Sequence, residues 1–391
     1  MRIKPLSSRP FTLLTLGFLL GWQLSSTQAQ AAPKGFLETI HRHAMLASTS
    51  PGNGDLNPYA IYVVPQDMGS LKKDEVLVTN FNNVNNLQGT GTTIVAYSPV
   101  TKTVRLFASA PAHLAACPGG IGFTTALTVL KSGWVIVGST PSKDGTTGTK
   151  GDGCLLVFDA NGTFTTAWKG PLITGPWGNI ASVDNGDKAV LFISMAAAGL
   201  PSPYVSDPVT HYPPILHNAT VVRFNLDIPA GKPPVIAQQT VIASGFAGRA
   251  DRDNFLFGPT GLALDTDGTL YVTDGYDEEV TAIDNALTRT EPVTRQNDAV
   301  GRIITKGKLL NWPLAMIWVP GHHLLVANGR NGQVVEIDPV AKKQLYAQWV
   351  DNDQAQQPPG NGDLFGLAMT PDNKGFYYVE DDMNTLNVSL P

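Results

Sequence analysis

The stretch Gly258–Gly275, with the sequence GPTGLALDTDGTLYVTDG, decides the fold. An apolar strand is followed by a turn rich in Asp and Gly and by a second strand that ends on Asp274, which is typical of a tight β-hairpin. The same theme recurs along the chain, and the phrase PGNGDL occurs twice, at Pro51–Leu56 and at Pro359–Leu364. Internal repeats of this length predict a solenoid or a propeller.

Six strand pairs follow this theme: Tyr59–Pro65 with Glu75–Asn80, Ile121–Leu130 with Gly133–Ser139, Gly178–Asp184 with Lys188–Met195, Pro259–Asp265 with Thr269–Asp274, Trp312–Pro320 with His322–Asn328, and Phe365–Pro371 with Gly375–Glu380. A third strand follows each pair, and a fourth follows most of them. Four antiparallel strands per unit, repeated radially, indicate a β-propeller. We therefore predict an all-β fold, a six-bladed β-propeller of four-stranded antiparallel blades, formed by residues 32–391 as one domain.

The last predicted unit reaches Pro391 after its third strand, and an open sheet edge would invite aggregation. The second copy of PGNGDL follows a fourth strand, Gln344–Val350, so the first copy should follow one as well. We therefore predict that Gly35–Ala47 is the outer strand that closes the ring. The alternative is a disordered tail in front of the propeller.

The N-terminal segment, residues 1–31, is predicted to be a cleavable signal peptide. It has a basic start, an apolar core at Phe11–Leu24 and the small-x-small pattern Ala29-Gln30-Ala31. A membrane anchor is the alternative, but this core is shorter than the roughly 20 apolar residues that span a bilayer. The expected location of the protein is therefore periplasmic or secreted.

The charge of the chain argues against a nucleic-acid partner. Lys and Arg number 27 and Asp and Glu 32, a formal charge of −5, and without Arg2, Lys4 and Arg9 the charge becomes −8. A nucleic-acid binder needs a basic footprint, which this composition lacks. We expect a monomer that binds a small-molecule ligand or a protein, with no nucleic acid and no membrane insertion.

The chain contains two cysteines, Cys117 and Cys154. An exported chain with two cysteines permits one disulfide, and two free thiols are the alternative. Cys117 lies just before a predicted first strand and Cys154 begins the third strand of the same unit, so blade geometry places them near each other. A bridge there would pin the loop Thr140–Gly153.

The repeats resemble those of the NHL-repeat propellers, and GPTGLALDTDGTLYVTDG carries the resemblance most strongly. Other units depart from it, such as GGIGFTTALTVLKSGWVIVGS at Gly119–Ser139. The resemblance covers nearly all of the predicted mature chain and implies the fold. The family includes exported lactonase-like enzymes, lyases and pure binding modules, so fold alone does not choose between these functions.

One end of the predicted propeller carries all the loops between second and third strands, and we call it the loop face. Three of these loops are long: Phe81–Gly91, Thr140–Gly153 and Ala196–Ala219. Long loops without secondary structure are usually functional or flexible, so the loop face is the predicted binding surface. Arg249 and Arg252, in a charged loop on this face, are candidates to clamp an anionic or polar ligand; a self-paired surface loop is the alternative.

Four second strands end on or beside oxygen-bearing side chains: Asn80, Asp274, Asn328 and Glu380. Carboxylate and amide oxygens suit a hard cation such as Ca²⁺ or Mg²⁺. This set is similar to the metal ligands of the gluconolactonase-like propellers, which implies a divalent cation as cofactor. The alternative is that each side chain caps its own turn.

Large aromatic residues begin four of the first strands: Tyr59, Trp177, Trp312 and Phe365. They could line an apolar mouth around the propeller axis, or they could pack between neighbouring blades. The histidines show no catalytic spacing such as HExxH, and the chain has no GxSxG motif. The catalytic histidine of the streptogramin-lyase relatives therefore cannot be transferred to a position in this sequence.

Two functions are consistent with these features. The first is an exported NHL-like propeller that binds a small ligand or a protein partner on the loop face. The second is a metal-assisted hydrolase or lyase of the lactonase-like type, in which a cation polarises a carbonyl group. The lack of an identifiable general base favours the binding protein.

Overall fold

A computed structural model of the chain describes residues 35–111, 114–200, 213–251, 254–362 and 364–391. The predicted signal peptide lies outside these residues. Within them the chain forms 27 strands and two short 3-10 turns, at Leu37–Thr39 and Thr147–Thr149. None of the helical segments in the described ranges is both long and apolar enough to cross a membrane.

The first nine strands are β1 (Arg42–Ser48), β2 (Leu56–Val63), β3 (Val76–Asn82), β4 (Thr93–Ser98), β5 (Thr103–Ser109), β6 (Phe123–Val129), β7 (Val135–Ser139), β8 (Cys154–Phe158) and β9 (Phe164–Trp168). The next ten are β10 (Ala181–Asp184), β11 (Lys188–Met195), β12 (Leu216–Asp227), β13 (Val235–Asp251), β14 (Phe255–Phe257), β15 (Pro259–Leu264), β16 (Leu270–Asp274), β17 (Glu279–Ile283), β18 (Val293–Gln296) and β19 (Ala299–Val300). The last eight are β20 (Arg302–Lys306), β21 (Pro313–Val319), β22 (His323–Asn328), β23 (Gln333–Asp338), β24 (Lys343–Trp349), β25 (Leu364–Met369), β26 (Phe376–Glu380) and β27 (Thr385–Leu390).

Five of the sheets are four-stranded antiparallel blades. Blade 1 is β2–β5, blade 2 is β6–β9, blade 3 is β15, β16, β17 and β20, blade 4 is β21–β24, and blade 5 is β25–β27 together with β1. A larger sheet has the order β10-β11-β12-β13-β18-β19, to which β14 adds a seventh strand. Its strands β10–β14 lie between blades 2 and 3 in the chain, and β18 and β19 follow β17 of blade 3. The all-β propeller is therefore confirmed.

The prediction of a six-bladed propeller of four-stranded antiparallel blades is wrong. Five sheets have that form, and the remaining sheet has seven strands and a parallel pairing of β13 with β18. The reason is the length of β13, which runs for 17 residues. Its far end, Arg249–Asp251, pairs with β14, and Ala243 and Ser244 pair with β18.

The N-terminal part of the described chain lies in blade 5. β1 pairs antiparallel with β27, with Arg42 opposite Leu390 and Ser48 opposite Thr385. The predicted strand Gly35–Ala47 is corrected in its bounds, because the backbone amides of Phe36 and Leu37 donate to the buried Glu336 carboxylate and a 3-10 turn follows. This turn buries apolar side chains against blades 4 and 5.

Burial follows the position of each strand in its blade. β3 and β7 are buried along their whole length, because neighbouring sheets cover both of their faces. The outer strands β5, β9 and β24 are largely half-buried or exposed. Apolar layers separate consecutive sheets, and one such layer joins blade 5 to blade 1 through Val379 and Val78. The last blade therefore packs against the first.

The inner strands approach one another closely around the axis. β2, β15, β21 and β25 each contain a register shift that spans two residues, and the second of the two is small: Ala60, Gly261, Ala315 and Gly366. A Cβ atom on Gly261 would overlap the Leu314 carbonyl oxygen of the next blade. The Thr273 hydroxyl accepts from the Gly261 amide (2.6 Å) and donates to that same oxygen (2.7 Å). The Leu314 backbone and the Thr273 side chain thus leave no room for a larger residue at position 261.

This contact yields a stability prediction. Gly261→Ala should destabilise the protein by about 2–4 kcal/mol, because the added methyl group must displace backbone of the next blade. Gly52→Ala is the matched control, since nothing lies within 4 Å of its Cβ position. Urea unfolding followed by circular dichroism measures both. Equal stability of the two variants would contradict the close approach.

Cys117 and Cys154 form a disulfide, as predicted, with their Cα atoms 5.7 Å apart. It joins the segment before β6 to the first residue of β8 and lies at the base of the loop 140–153. The backbone segments around Gly119 and Asp152 also approach each other closely beside the disulfide, because a Cβ atom on Gly119 would meet the Asp152 amide nitrogen at 2.8 Å.

We expect thiol labelling of the denatured, unreduced protein to find no free thiol. The double variant Cys117→Ala, Cys154→Ala should lose about 4 kcal/mol of stability, the chain-entropy value for a closed loop of 37 residues. Thermal unfolding with and without reductant checks this. The melting temperature of the parent should fall to that of the variant when the parent is reduced. An unchanged midpoint would contradict a stabilising role.

Candidate functional site

Aromatic rings fill the axis near the loop face. Tyr59 stacks on Phe365 and on Phe81, with ring centroids 4.0 and 4.6 Å apart. Trp177 meets Tyr59 and Phe81 edge-on and stacks against Phe255. All five side chains are at most 4% exposed. We call them the axial cluster, and their burial means that they form a packed core rather than an open mouth.

Three of the four predicted aromatic residues thus meet in one cluster, and Trp312 does not. Trp312 packs beside Phe257, and the Arg330 guanidinium lies over its ring. The sequence analysis missed Phe81 and Phe255, which complete the cluster. Phe255 has a φ of 65°, a backbone conformation that a bulky side chain rarely adopts, so packing must hold it there.

The charged loop is partly self-paired. Arg249 forms an ion pair with Asp251 at 2.9 Å and lies over the Tyr276 ring at 5.2 Å. Both members of the ion pair are largely buried. Arg252 lies outside the described residues. A clamping role for these arginines stays a prediction.

The four predicted metal ligands occupy corresponding places in their sheets and have local partners. The Asn80 amide group donates to the Thr49 carbonyl and the Thr93 hydroxyl, while the Asn328 side chain bonds the backbone of Leu309 and Asn311. The contacts of Asn80 with Thr49 and of Asn328 with Leu309 and Asn311 tie these strands to the segment that arrives from the preceding sheet. The Glu380 carboxylate instead accepts from Thr385 and Asn387 of its own blade. No three or more His, Cys, Asp and Glu side chains within the described ranges are grouped to hold a metal ion. The mixed amide and carboxylate set stays a prediction.

The two carboxylates of that set have displaced pKa values. Asp274 is buried and accepts from the backbone amides of Ala247, Tyr276 and Asp277. Burial raises the pKa of Asp274 to about 7, and the Asp277 carboxylate adds to this rise. Burial also raises the pKa of Glu380 to about 7, assisted by the Asp351 carboxylate. Both acids therefore favour the protonated form more than exposed carboxyl groups do.

A small recess lies on the loop face beside the axial cluster. It has a volume of about 250 Å³ and lies between the loop after β3, the turn after β26 and the start of β2. We call it the amide recess. Its lining includes Asn57, Asn82, Asn86, Asp381, Asp382 and Asn384.

Hydrogen bonds fix the amide groups of this recess. The backbone amide of Asn57 donates to Asn384 Oδ1 at 2.7 Å, and Asn82 Nδ2 donates to Asn86 Oδ1 at 2.7 Å. Asn57 and Asn384 both have positive φ angles, which Asn tolerates better than most residues. The Tyr59 hydroxyl connects the recess to the axial cluster, because its pKa is raised by burial and by Asp381 and lowered by a hydrogen bond with Asn57.

A larger recess of about 500 Å³ lies at the loop 140–153, beside the disulfide. We call it the lysine recess, and its lining includes Pro118, Lys143, Lys150, Gly151 and Asp152. Burial lowers the pKa of the Lys150 ammonium group, and the Asp152 carboxylate opposes that change.

Three histidines of the described residues bond side chains away from both recesses. His322 and His323, in the turn between β21 and β22, contact the carboxylates of Asp265 and Glu336. His43 on β1 bonds the Ser389 hydroxyl at 2.8 Å.

No protein-family model matches the chain, and no curated protein matches its sequence. Solved structures do share its fold. A gluconolactonase from Xanthomonas campestris aligns with a TM-score of 0.52 and 15% identity over 90% of this chain and 91% of that chain. A putative gluconolactonase gives 0.50 and 13% over 91% and 94%, and virginiamycin B lyase from Staphylococcus aureus gives 0.50 and 11% over 90% and 99%. At such identities the similarity shows the propeller fold alone.

Asp274 makes stability depend on pH. Its pKa is about 7 in the folded protein against an ordinary value of 3.8. The stability due to its protonated form is fully present below pH 3.8 and is lost as the pH rises through 7, by an amount of the order of 4 kcal/mol at most. Asp274→Asn imitates the protonated acid, so its thermal midpoint should fall less between about pH 5 and pH 8. Scanning calorimetry of parent and variant checks this.

Glu291→Gln is the matched control for Asp274→Asn, because Glu291 is exposed in the segment between β17 and β18. It should keep the pH dependence of the parent. Identical pH profiles for the parent and Asp274→Asn would contradict the assignment.

Proposed function

We propose that this protein is a binding propeller that takes a small anionic ligand in the lysine recess. The observation that supports this most strongly is the recess itself, whose volume of about 500 Å³ falls within the usual range of roughly 300–1,000 Å³ for small-molecule sites. The disulfide at its base reduces the ordering that binding would require, and a preorganised loop favours affinity for that reason.

The charge of the lysine recess favours an anion. Lys143 and Lys150 contribute two positive charges against the single carboxylate of Asp152. An adjoining recess of about 480 Å³ adds Lys169. An anion in this recess would form charge-assisted hydrogen bonds with the lysine ammonium groups, and such bonds are stronger than neutral ones. Small carboxylates and phosphate are the chemical classes that fit.

Export also belongs to this proposal. The disulfide supports it, because disulfides persist in oxidising compartments and are rare in reducing ones. The basic and apolar segment in residues 1–31 supports it from the sequence. The alternative function, a metal-assisted hydrolase or lyase, draws support only from the shared fold and stays a prediction.

Calorimetric titration of the protein with inorganic phosphate and with small mono- and dicarboxylates tests the binding function. At least one of these anions should bind, and Lys143→Gln with Lys150→Gln should weaken that binding about tenfold or more, since each removes a charge-assisted hydrogen bond. Lys73→Gln is the control, because Lys73 is exposed in the connection between β2 and β3 at the opposite end of blade 1.

Two results would contradict the proposal. One is the absence of heat with every anion tested. The other is equal affinity in the parent and the double lysine variant, which would place the bound anion outside the lysine recess.

A further inference from the structure

The amide recess contains two buried acceptor atoms without hydrogen-bond partners. Asn57 Oδ1 and Asn82 Oδ1 are buried and receive no donor from the described residues. The two residues are 7% and 2% exposed. A buried acceptor left without a donor is unfavourable, so two of them in one recess indicate a missing partner.

The orientation of one of these amides is determined by its neighbour. Asn82 donates from Nδ2 to Asn86 Oδ1, which leaves its own Oδ1 on the other side. Rotating the amide would bring two carbonyl oxygens together at that contact. The Asn82 Oδ1 atom therefore stays an acceptor, available to a ligand that attracts oxygen lone pairs, such as a cation.

Two carboxylates line the same recess, those of Asp381 and Asp382. They belong to consecutive residues in the turn after β26, and a bound cation would offset the repulsion between like charges.

The size of the recess is compatible with a partly hydrated ion. A volume of about 250 Å³ equals about eight water molecules at about 30 Å³ each. That is less than most organic ligands need. It suits an ion whose six to eight oxygen ligands come partly from the protein and partly from water.

We propose that the amide recess binds Ca²⁺, with Asn57 and Asn82 providing neutral carbonyl oxygens and Asp381 and Asp382 providing carboxylates. Ca²⁺ accepts such mixed oxygen ligands in flexible geometries, whereas Mg²⁺ requires a near-ideal octahedron. None of these four residues belongs to the predicted set Asn80, Asp274, Asn328 and Glu380. The site lies beside the axis and joins only blade 1 to blade 5, so it is independent of the lysine recess.

The bound ion would hold the turn after β26 against the loop after β3. It would stabilise the folded protein by mass action, so the melting temperature should rise with Ca²⁺ concentration. The experiment uses the full chain after treatment with chelator and dialysis, titrated with CaCl₂ in a calorimeter and melted at several concentrations of CaCl₂. We expect one saturable site and a rising midpoint.

Asp382→Asn is the first variant, because Asp382 is exposed and Asn keeps an acceptor for the Met383 amide. It should weaken Ca²⁺ binding about tenfold, and Asp381→Asn with Asp382→Asn should abolish it. Asn85→Ala, in the same loop but outside the recess, and Glu291→Gln are the controls, and both should keep the affinity of the parent.

Three outcomes would overturn the proposal. The first is no heat and no change of melting temperature when CaCl₂ is added to the parent. The second is unchanged Ca²⁺ affinity in the double aspartate variant whose midpoint in chelator equals that of the parent. The third is a larger stabilisation by MgCl₂ than by CaCl₂, which would exclude the assigned ion.

Discussion

The structure depends on the close approach of inner strands around the axis. Each approach requires a small residue at a register shift, and a buried hydroxyl group often completes it. Thr79 repeats the arrangement of Thr273, because its hydroxyl accepts from the Ala60 amide and donates to the Thr124 carbonyl of the next blade. Gly366 places blade 5 against the Tyr59 carbonyl of blade 1 in the same way. The blades are therefore held by backbone contacts, and the distance of the inner strands from the propeller axis can change little.

The short distance between the inner strands and the axis explains where the candidate sites lie. Tyr59, Leu314 and Phe365, which precede three of the small residues, pack with Trp177 in one cluster and fill this narrow space. Chemistry on the loop face must then lie beside the axis, where loops rather than inner strands form the walls. The amide recess and the lysine recess both lie there. Side-chain hydrogen bonds hold the walls of the amide recess, and a disulfide holds those of the lysine recess.

Much of the fold could be predicted because hairpins have local signatures, such as the turn after Leu264, and because blade geometry relates Cys117 to Cys154. The long strand β13 could not be, because its pairing with β18 involves only two residue pairs and leaves no pattern in the sequence. The amide recess was missed for another reason. Asn57 and Asn82 read as ordinary turn residues, and only burial without a donor distinguishes them.

The pairing of β1 with β27 has a consequence for how the chain folds. His43 and Ser389, which face each other in this sheet, are 346 residues apart, whereas the hairpin of β26 and β27 has a turn of four residues. Closing the first loop costs about 5 kcal/mol of chain entropy and closing the second about 1 kcal/mol. We therefore expect blade 5 to assemble last. Until then the edge of β27 is exposed, and the half-formed protein is at its most prone to aggregate through that edge.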